Sequence, residues 1–228
     1  MLYKNIFMKI SVIIPTYEEP KETLRETVDQ FLNFENIEVI ISDSSVSKIP
    51  KHSWFKKKVT IVYSPKTNIS AGRNIGAKHS SNEILMFLDA DVKLNSINKT
   101  LFCIKREFVY HKHYNCIILK MSIDEKYKQP NDKFFCDFIS LRNSIIGIGR
   151  GECIIVKKNI FNQVGKFDVN KNVNEDTDLV KRCAPVVYPD LYYTESGRRI
   201  HKFGWLRMFY EWGLNVIDPS REWLPIGR

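Results

Sequence analysis

The 228-residue sequence predicts an α/β fold: one mainly parallel sheet with helices on its faces. Two observations lead there. Short, β-rich apolar runs alternate with helix-period segments through the first half of the chain. Hydrophobic residues make up 43% and charged residues 27%, a globular balance that argues against wholesale disorder or a many-pass membrane protein. The length suits one ordinary core, and the absence of an internal repeat or a long Gly, Ser or Pro linker gives no reason to divide it.

The elements follow in order. Residues 10–14 read as a buried strand ended by Pro15, and residues 21–34 as a helix with Leu24, Val28, Phe31 and Leu32 at helical spacing. Residues 39–41 and 59–63 are the second and third strands; the triplet Lys56, Lys57, Lys58 before the third reads as a solvated loop. A helix over 71–80 precedes the buried strand 84–88, which delivers Asp89 and Asp91 at its carboxyl end. In open α/β sheets ligands collect beyond the carboxyl ends of the strands, so this position draws attention to the pair. A helix near 98–111, a strand over 116–120, a helix near 132–141, a glycine-containing loop over 147–151 and a strand over 154–156 complete the series.

Thirty-five Lys and Arg against 26 Asp and Glu give a formal charge of +9, which favours an anionic partner without choosing among nucleotide phosphates, lipid head groups and nucleic acid. Five widely spaced cysteines without a CxxC read as buried thiols of a reducing compartment, not as a zinc site. The opening MLYKNIFMKI lacks the apolar stretch and cleavage site of a secretory signal, and no run reaches the roughly 18 apolar residues of a membrane span. The expected location is the cytoplasm, with any membrane contact peripheral.

Asp89-Ala90-Asp91 is the strongest chemical feature. Paired carboxylates there can hold Mg²⁺ or Mn²⁺ through hard oxygens, and such an ion can bridge a diphosphate. Acidic pairs also occur in plain turns, where Asp tolerates the backbone geometry, so the neighbouring segments decide. Four of them, in order, resemble the family 2 glycosyltransferases, the large inverting family of GT-A fold: Ser11-Val12-Ile13-Ile14-Pro15-Thr16-Tyr17-Glu18, Glu38-Val39-Ile40-Ile41-Ser42-Asp43-Ser44-Ser45, Ala71-Gly72-Arg73-Asn74-Ile75-Gly76 and Leu88-Asp89-Ala90-Asp91. The resemblance runs over roughly residues 9–182. It implies a Rossmann-like GT-A domain over 1–195 and a nucleotide-sugar donor, with uracil as the default base. Pro15, Thr16, Tyr17 and Glu18 would wrap base and ribose; Asp43 would contact the base; Arg73, Asn74, Asp89 and Ala90 would complete the nucleotide site. Asp91 would hold the metal, with Asp89 on metal or ribose. The second strand departs from the pattern: Ser-Asp-Ser-Ser stands where many relatives carry two adjacent acids and a Gly, which leaves the base open.

Asn174-Glu175-Asp176-Thr177-Asp178-Leu179 resembles the ED motif of the same family. Acidic residues at a helix start are also favourable for dipole reasons alone. The resemblance implies Asp176 as the base that deprotonates an acceptor hydroxyl, with Glu175 orienting the acceptor. Gly149-Arg150-Gly151-Glu152-Cys153 resembles the acceptor-side loop, placing Gly151 and Glu152 near the acceptor, and His201 resembles the histidine that completes the metal site in some relatives. Arg198 and Arg199 offer bidentate contacts to a diphosphate. The expected acceptor is a glycan, a protein or a lipid-linked molecule.

The tail over 196–228 carries three of the four tryptophans and six basic against three acidic residues. Gly204, Arg207, Glu211 and Asn215 form a narrow polar stripe at helical spacing, leaving a wide apolar remainder that needs burial against the domain, an anionic membrane interface or a protein partner. Three other readings compete: a noncatalytic nucleotide-sugar binder, a sugar-phosphate nucleotidyltransferase and a nucleic-acid-binding module. Asp89, Asp91 and Asp176 weigh against the first, the missing glycine-rich phosphate loop against the second, and the lack of RNP-like runs, Cys-His fingers or a strongly basic helix against the third.

Overall fold

The computed structural model describes residues 8–49, 55, 59–65, 68–111, 114–171 and 173–218. The Lys56 to Lys58 triplet, and Arg221, Glu222 and Arg228 of the tail, lie outside the described residues. An eight-stranded sheet forms the centre, in the order β3-β2-β1-β4-β7-β6-β8-β5. Its strands are β1 (Ile10–Thr16), β2 (Ile37–Asp43), β3 (Val59–Tyr63), β4 (Ile84–Leu88), β5 (Lys93–Leu94), β6 (Cys116–Ile123), β7 (Cys153–Lys157) and β8 (Pro185–Glu195). β1 to β4 and the β6–β8 pair run parallel, while β7 opposes both its neighbours and β5 opposes β8. The expected mainly parallel sheet is therefore present, with two reversed strands that the apolar runs could not orient.

Burial on both faces explains the unbroken apolar strands. In β4, Ile84, Met86 and Leu88 enter the larger core cluster, while Leu85 and Phe87 enter the opposite one. Phe87 meets Phe161 and Phe167 at centroid distances of 5.1 and 5.0 Å. Each such fully buried side chain stabilises the fold by about 1.5–3 kcal/mol, and the buried Ser11 of β1 is accommodated by donating its hydroxyl to Glu38 of β2.

The helices are α1 (Lys21–Asp29), α2 (Ile69–His79), α3 (Ile97–Lys105, continued in π-helical turns over Arg106–His111), α4 (Asp132–Ile146), α5 (Lys158–Gln163), α6 (Glu175–Cys183), α7 (Arg198–Phe203) and α8 (Trp205–Ile217). α1 is shorter than its apolar spacing suggests: residues 30–34 turn back, with Phe31 donating its N–H to the Val28 carbonyl and Phe34 to that of Phe31. α2 starts where the Asn68 side chain accepts the Ala71 N–H, a cap that satisfies one orphan donor. β8 is absent from the sequence expectation because Pro185 and Pro189 interrupt its pattern; it still pairs with β6 through a register shift after Leu119.

The described part of the tail, to residue 218, packs into this architecture. The expected helical stripe is carried by α8, and Gly204, at φ 79°, a backbone angle that a side chain would strain, separates it from α7. Ile200, Trp205 and Met208 are buried in the main cluster. The polar stripe turns inward at Glu211 and Asn215, both buried, whereas Leu206, Tyr210 and Ile217 of the apolar remainder face outward. The Asn215 carbonyl accepts from the Asn174 side chain, which joins α8 to the loop before α6.

Candidate active site

The carboxyl ends of β1, β2, β4 and β8 open into two adjoining cavities of about 490 and 540 Å³. The first is lined by Pro15, Thr16, Tyr17, Asp89, Ala90 and Asp91, and the second by Arg73, Asn174, Glu175 and Asp176. Asp89, Arg150, Glu152, Arg199 and Trp212 border both, so one wall separates and joins the two spaces.

Arg73 is the tie between them. The side chain is 1% exposed, and its Nη2 donates to Asp89 Oδ1 (2.8 Å) and to the Gly151 carbonyl (2.9 Å), while Nη1 donates to Glu175 Oε1 (3.0 Å). Its guanidinium also lies over the Phe167 ring at 5.1 Å. A planar fork reaches three acceptors on three elements at once, which a lysine ammonium on one stem could not reproduce. Gly151 completes the arrangement: its N–H donates to Asp176 Oδ2 (2.6 Å), and a Cβ there would lie 2.7 Å from Arg73 Nη2 and 3.1 Å from Asp176. Glycine is required by space, not by backbone angle.

Burial governs the electrostatics. It pushes the Asp89 carboxyl up to about 6, against the pull of Arg73 and with Glu152 adding to the rise. Burial and the neighbouring Asp176 raise Glu175 to about 7, again opposed by Arg73. Asp176 is raised by burial and by Glu152, with Arg73 and the N–H groups of Thr177 and Gly151 resisting. Carboxyls held near neutrality at a cleft are suited to proton transfer.

The expected site residues divide. Pro15, Thr16, Tyr17, Asp89, Ala90, Asp91, Glu152, Arg198 and Arg199 line the first cavity. Arg73, Gly151, Glu175 and Asp176 line the second. Glu18 does not line either: at φ 51° it donates its N–H to Ser45 Oγ and accepts the Val46 N–H, and Glu19 lines the cavity in its place. Asp43 is fully buried, its two oxygens accepting the N–H groups of Ser45 (2.9 Å) and Ile49 (2.8 Å), so it shapes the loop after β2 and Ser44 is the residue that lines the cavity. Asn74 is paired both ways with the backbone of Phe167. His201 places Nε2 2.9 Å from Asp132 Oδ2, whose other oxygen accepts from Trp205 Nε1 (2.8 Å); this bond anchors α7 and α8 to α4, and His201 does not line the cavity of Asp89 and Asp91.

Asp91 Oδ2 accepts from Ser196 Oγ (3.1 Å) and Arg198 Nη2 (3.0 Å), and Arg198 also reaches Glu19 (3.2 Å). The donor set at Asp89 and Asp91 is two carboxylates at one strand end. Among the described residues no three His, Cys, Asp or Glu side chains form a metal cage. Two hard oxygen ligands fit Mg²⁺ or Mn²⁺ whose remaining ligands are substrate phosphates and water, the usual arrangement for such ions.

Arg150 enters the sequence expectation only within the acceptor-side segment, without a role, and Glu195 and Trp212 are absent from it. Arg150 Nε donates to Glu152 (2.9 Å), its guanidinium lies 5.1 Å from the Trp212 ring, and its Nη2 is 3.7 Å from Glu195. Burial raises Glu195 to about 8, with Arg150 opposing and Glu152 adding to the rise. Recognising β8 would have found Glu195, because a strand parallel to β6 delivers its last residue to the ligand-binding edge. Trp212 carries no such signal, since its place depends on the turn at Gly204.

Fold and site resemble those of GT-A glycosyltransferases. Residues 11–100 match the family model described as Glycosyl transferase family 2. An uncharacterized glycosyltransferase of Rickettsia bellii (strain RML369-C) is 33% identical over 89 residues, which cover 36% of this chain and 13% of the relative. Among solved structures, S. aureus TarS superposes with TM-score 0.58 at 18% identity, covering 94% of this chain and 41% of TarS. A mannosyltransferase from Pyrobaculum calidifontis, in complex with GDP-Man and Mn²⁺, gives 0.61 at 18% identity, covering 91% and 64%. The chain thus spans less than two thirds of the length of each of these relatives, and the two structures speak to fold.

Proposed function

We propose that this chain transfers a sugar from a nucleoside diphosphate sugar to an acceptor hydroxyl with inversion, using a divalent cation at Asp89 and Asp91. The observation that carries the reading is the Arg73–Gly151 unit, which ties Asp89 of the first cavity to Glu175 and Asp176 of the second. Donor-side and acceptor-side carboxylates are held in one rigid relation, as a displacement between two bound substrates requires.

The first cavity takes the donor. Thr16 lines it, and the Thr16 hydroxyl at the end of β1 is buried without a protein partner, as are those of Ser42 in β2, Ser64 after β3 and Ser70 in α2. Buried polar atoms call for a polar ligand or water, which suits a nucleoside. A bound Mg²⁺ or Mn²⁺ would supply Lewis-acid stabilisation of the negative charge that develops on the leaving diphosphate. Arg198 and Arg199 add permanent positive charge at the same place.

The second cavity takes the acceptor. Asp176 accepts the acceptor hydroxyl proton as the oxygen forms its bond to the anomeric carbon and the bond to the diphosphate breaks on the opposite face. The carboxylate keeps lone pairs free beyond those that accept from Gly151 and Thr177, and burial and Glu152 raise its proton affinity, which favours proton uptake. UDP is the default nucleotide, and the P. calidifontis mannosyltransferase with GDP-Man makes GDP the first alternative to test.

Titration calorimetry with UDP, GDP and their sugar conjugates, with and without Mn²⁺, tests the donor site. Metal-dependent binding of one nucleotide by the wild type, lost in Asp91→Ala, is the expected result. Equal binding with and without the ion, unaffected by the substitution, would leave a noncatalytic or metal-independent binder as the better reading.

A further inference from the structure

α4 and α8 leave a joined apolar face on the surface. At 3.6 residues per turn, Phe134, Phe138, Leu141 and Ile145 form one stripe along α4, with exposures of 69, 50, 61 and 75%. Leu206, Tyr210 and Ile217 form the matching stripe of α8, at 81, 64 and 81%. The two helices pack through Phe135 stacked on Trp205 (5.1 Å) and Phe138 edge-on to Phe209 (5.9 Å), so the α4 stripe reaches α8 at Phe138, through the half-buried Phe209. A contiguous apolar surface of this kind on a soluble chain marks a contact with something.

The charges choose the partner. The exposed charged residues of α4, α8 and the end of α7 are Lys133, Arg142, Lys202 and Arg207 against Asp137 and Asp218, and Lys133 is paired with Asp137 at 2.7 Å. Lys202 and Arg207 both lie over the Phe203 ring, at 5.4 and 5.2 Å, which holds them at the rim of α8. A second copy of the chain meeting this face in a two-fold dimer would set basic rim against basic rim. An anionic lipid surface answers both features at once: apolar side chains enter the acyl boundary, and cations reach the head groups. No helix among the described residues is long and apolar enough to cross a membrane, so the contact is shallow.

We infer that the α4–α8 face docks this protein onto an anionic lipid surface. Ile139 and Arg142 of α4 and Trp212 of α8 also border the second cavity. Docking therefore brings that cavity to the membrane; its use for a membrane-borne acceptor rests on the glycosyl-transfer reading, whereas the docking itself does not.

Co-sedimentation with vesicles of phosphatidylcholine, with or without one third phosphatidylglycerol, tests the inference on the full chain. The wild type should pellet with the anionic vesicles and be released by salt. A triple variant, Phe134→Ser, Leu141→Ser and Leu206→Ser, should stay in the supernatant. Lys202→Gln with Arg207→Gln should weaken binding about 25-fold, from roughly fivefold per lost cation near a charged surface. Circular dichroism and nucleotide calorimetry check that the variants remain folded with the first cavity intact. Absence of wild-type binding to anionic vesicles, or binding that the triple variant retains, overturns the inference. So does light scattering that shows a dimer dissolved by the triple variant without vesicle binding, which would make the face an interface between copies. Failure of wild-type nucleotide binding with vesicle binding intact would instead count against the donor reading alone.

Discussion

Removing the Arg73 guanidinium should be the most damaging single change in the site. Arg73→Met keeps most of the volume and deletes both ion pairs, leaving Asp89 and Glu175 beside one another without their shared cation and the Gly151 carbonyl without its donor. Breaking a buried pair from one side costs about 3–5 kcal/mol, because the charge left behind is uncompensated. With roughly 2–4 °C per kcal/mol for a domain of this size, the melting temperature should fall by about 6–20 °C near pH 8. The loss should carry a pH signature. Both carboxyls already lie above their ordinary range, at about 6 and about 7, and without Arg73 both rise further. A folded-state pKa above the unfolded value destabilises the fold above that pKa, and the penalty is relieved as pH falls toward the unfolded value. The gap between variant and wild type should therefore narrow from pH 8 to pH 6, measured by thermal or urea unfolding. A variant within about 0.5 kcal/mol of wild type, the range of ordinary surface substitutions, or a gap that widens on acidification, would refute the role given to Arg73.

Other consequences follow from the same geometry. Asp176→Asn keeps the acceptor atom that meets the Gly151 N–H but cannot take up a proton, so kcat should drop by about 10²–10⁴-fold with donor affinity, read by calorimetry, little changed. The pH profile of kcat/KM should fall on the acid side through about 7, where Glu175 titrates beside Asp176; a profile flat down to pH 5 would mean that carboxyls of ordinary acidity carry the step. Gly151→Ala puts a methyl against Arg73 and Asp176, and should cost about 1–3 kcal/mol by urea unfolding and about 10²-fold in rate from a displacement near 1 Å. His201→Ala removes the partner of Asp132 and should lower the melting temperature while leaving Mn²⁺-dependent nucleotide binding intact, since the ring is bonded to α4 and not to Asp91.

The strands β1 to β4, and Asp89 and Asp91 after β4, were legible in the sequence, because strands covered by other elements are written mainly in apolar residues and the first polar residues after them sit at the ligand-binding edge. Asp89 and Asp91 stand out that way, Glu175 and Asp176 only by their resemblance to a known motif, and the structure places all four at the two cavities. The hydrogen-bond partners of Asp43, Asn74 and Glu18 were not legible, since a carboxylate or amide beside a cavity and one folded into its own loop have the same letters; which of the two occurs is set by the nearest unpaired backbone N–H. The tertiary structure alone decided the rest. It reversed β7, delivered Glu195 on a strand broken by two prolines, and turned α8 at Gly204 so that Trp212 closes the site while Leu206, Tyr210 and Ile217 face outward. These features depend on contacts between segments far apart in the chain, and local periodicity records which side chains need burial but not what will bury them.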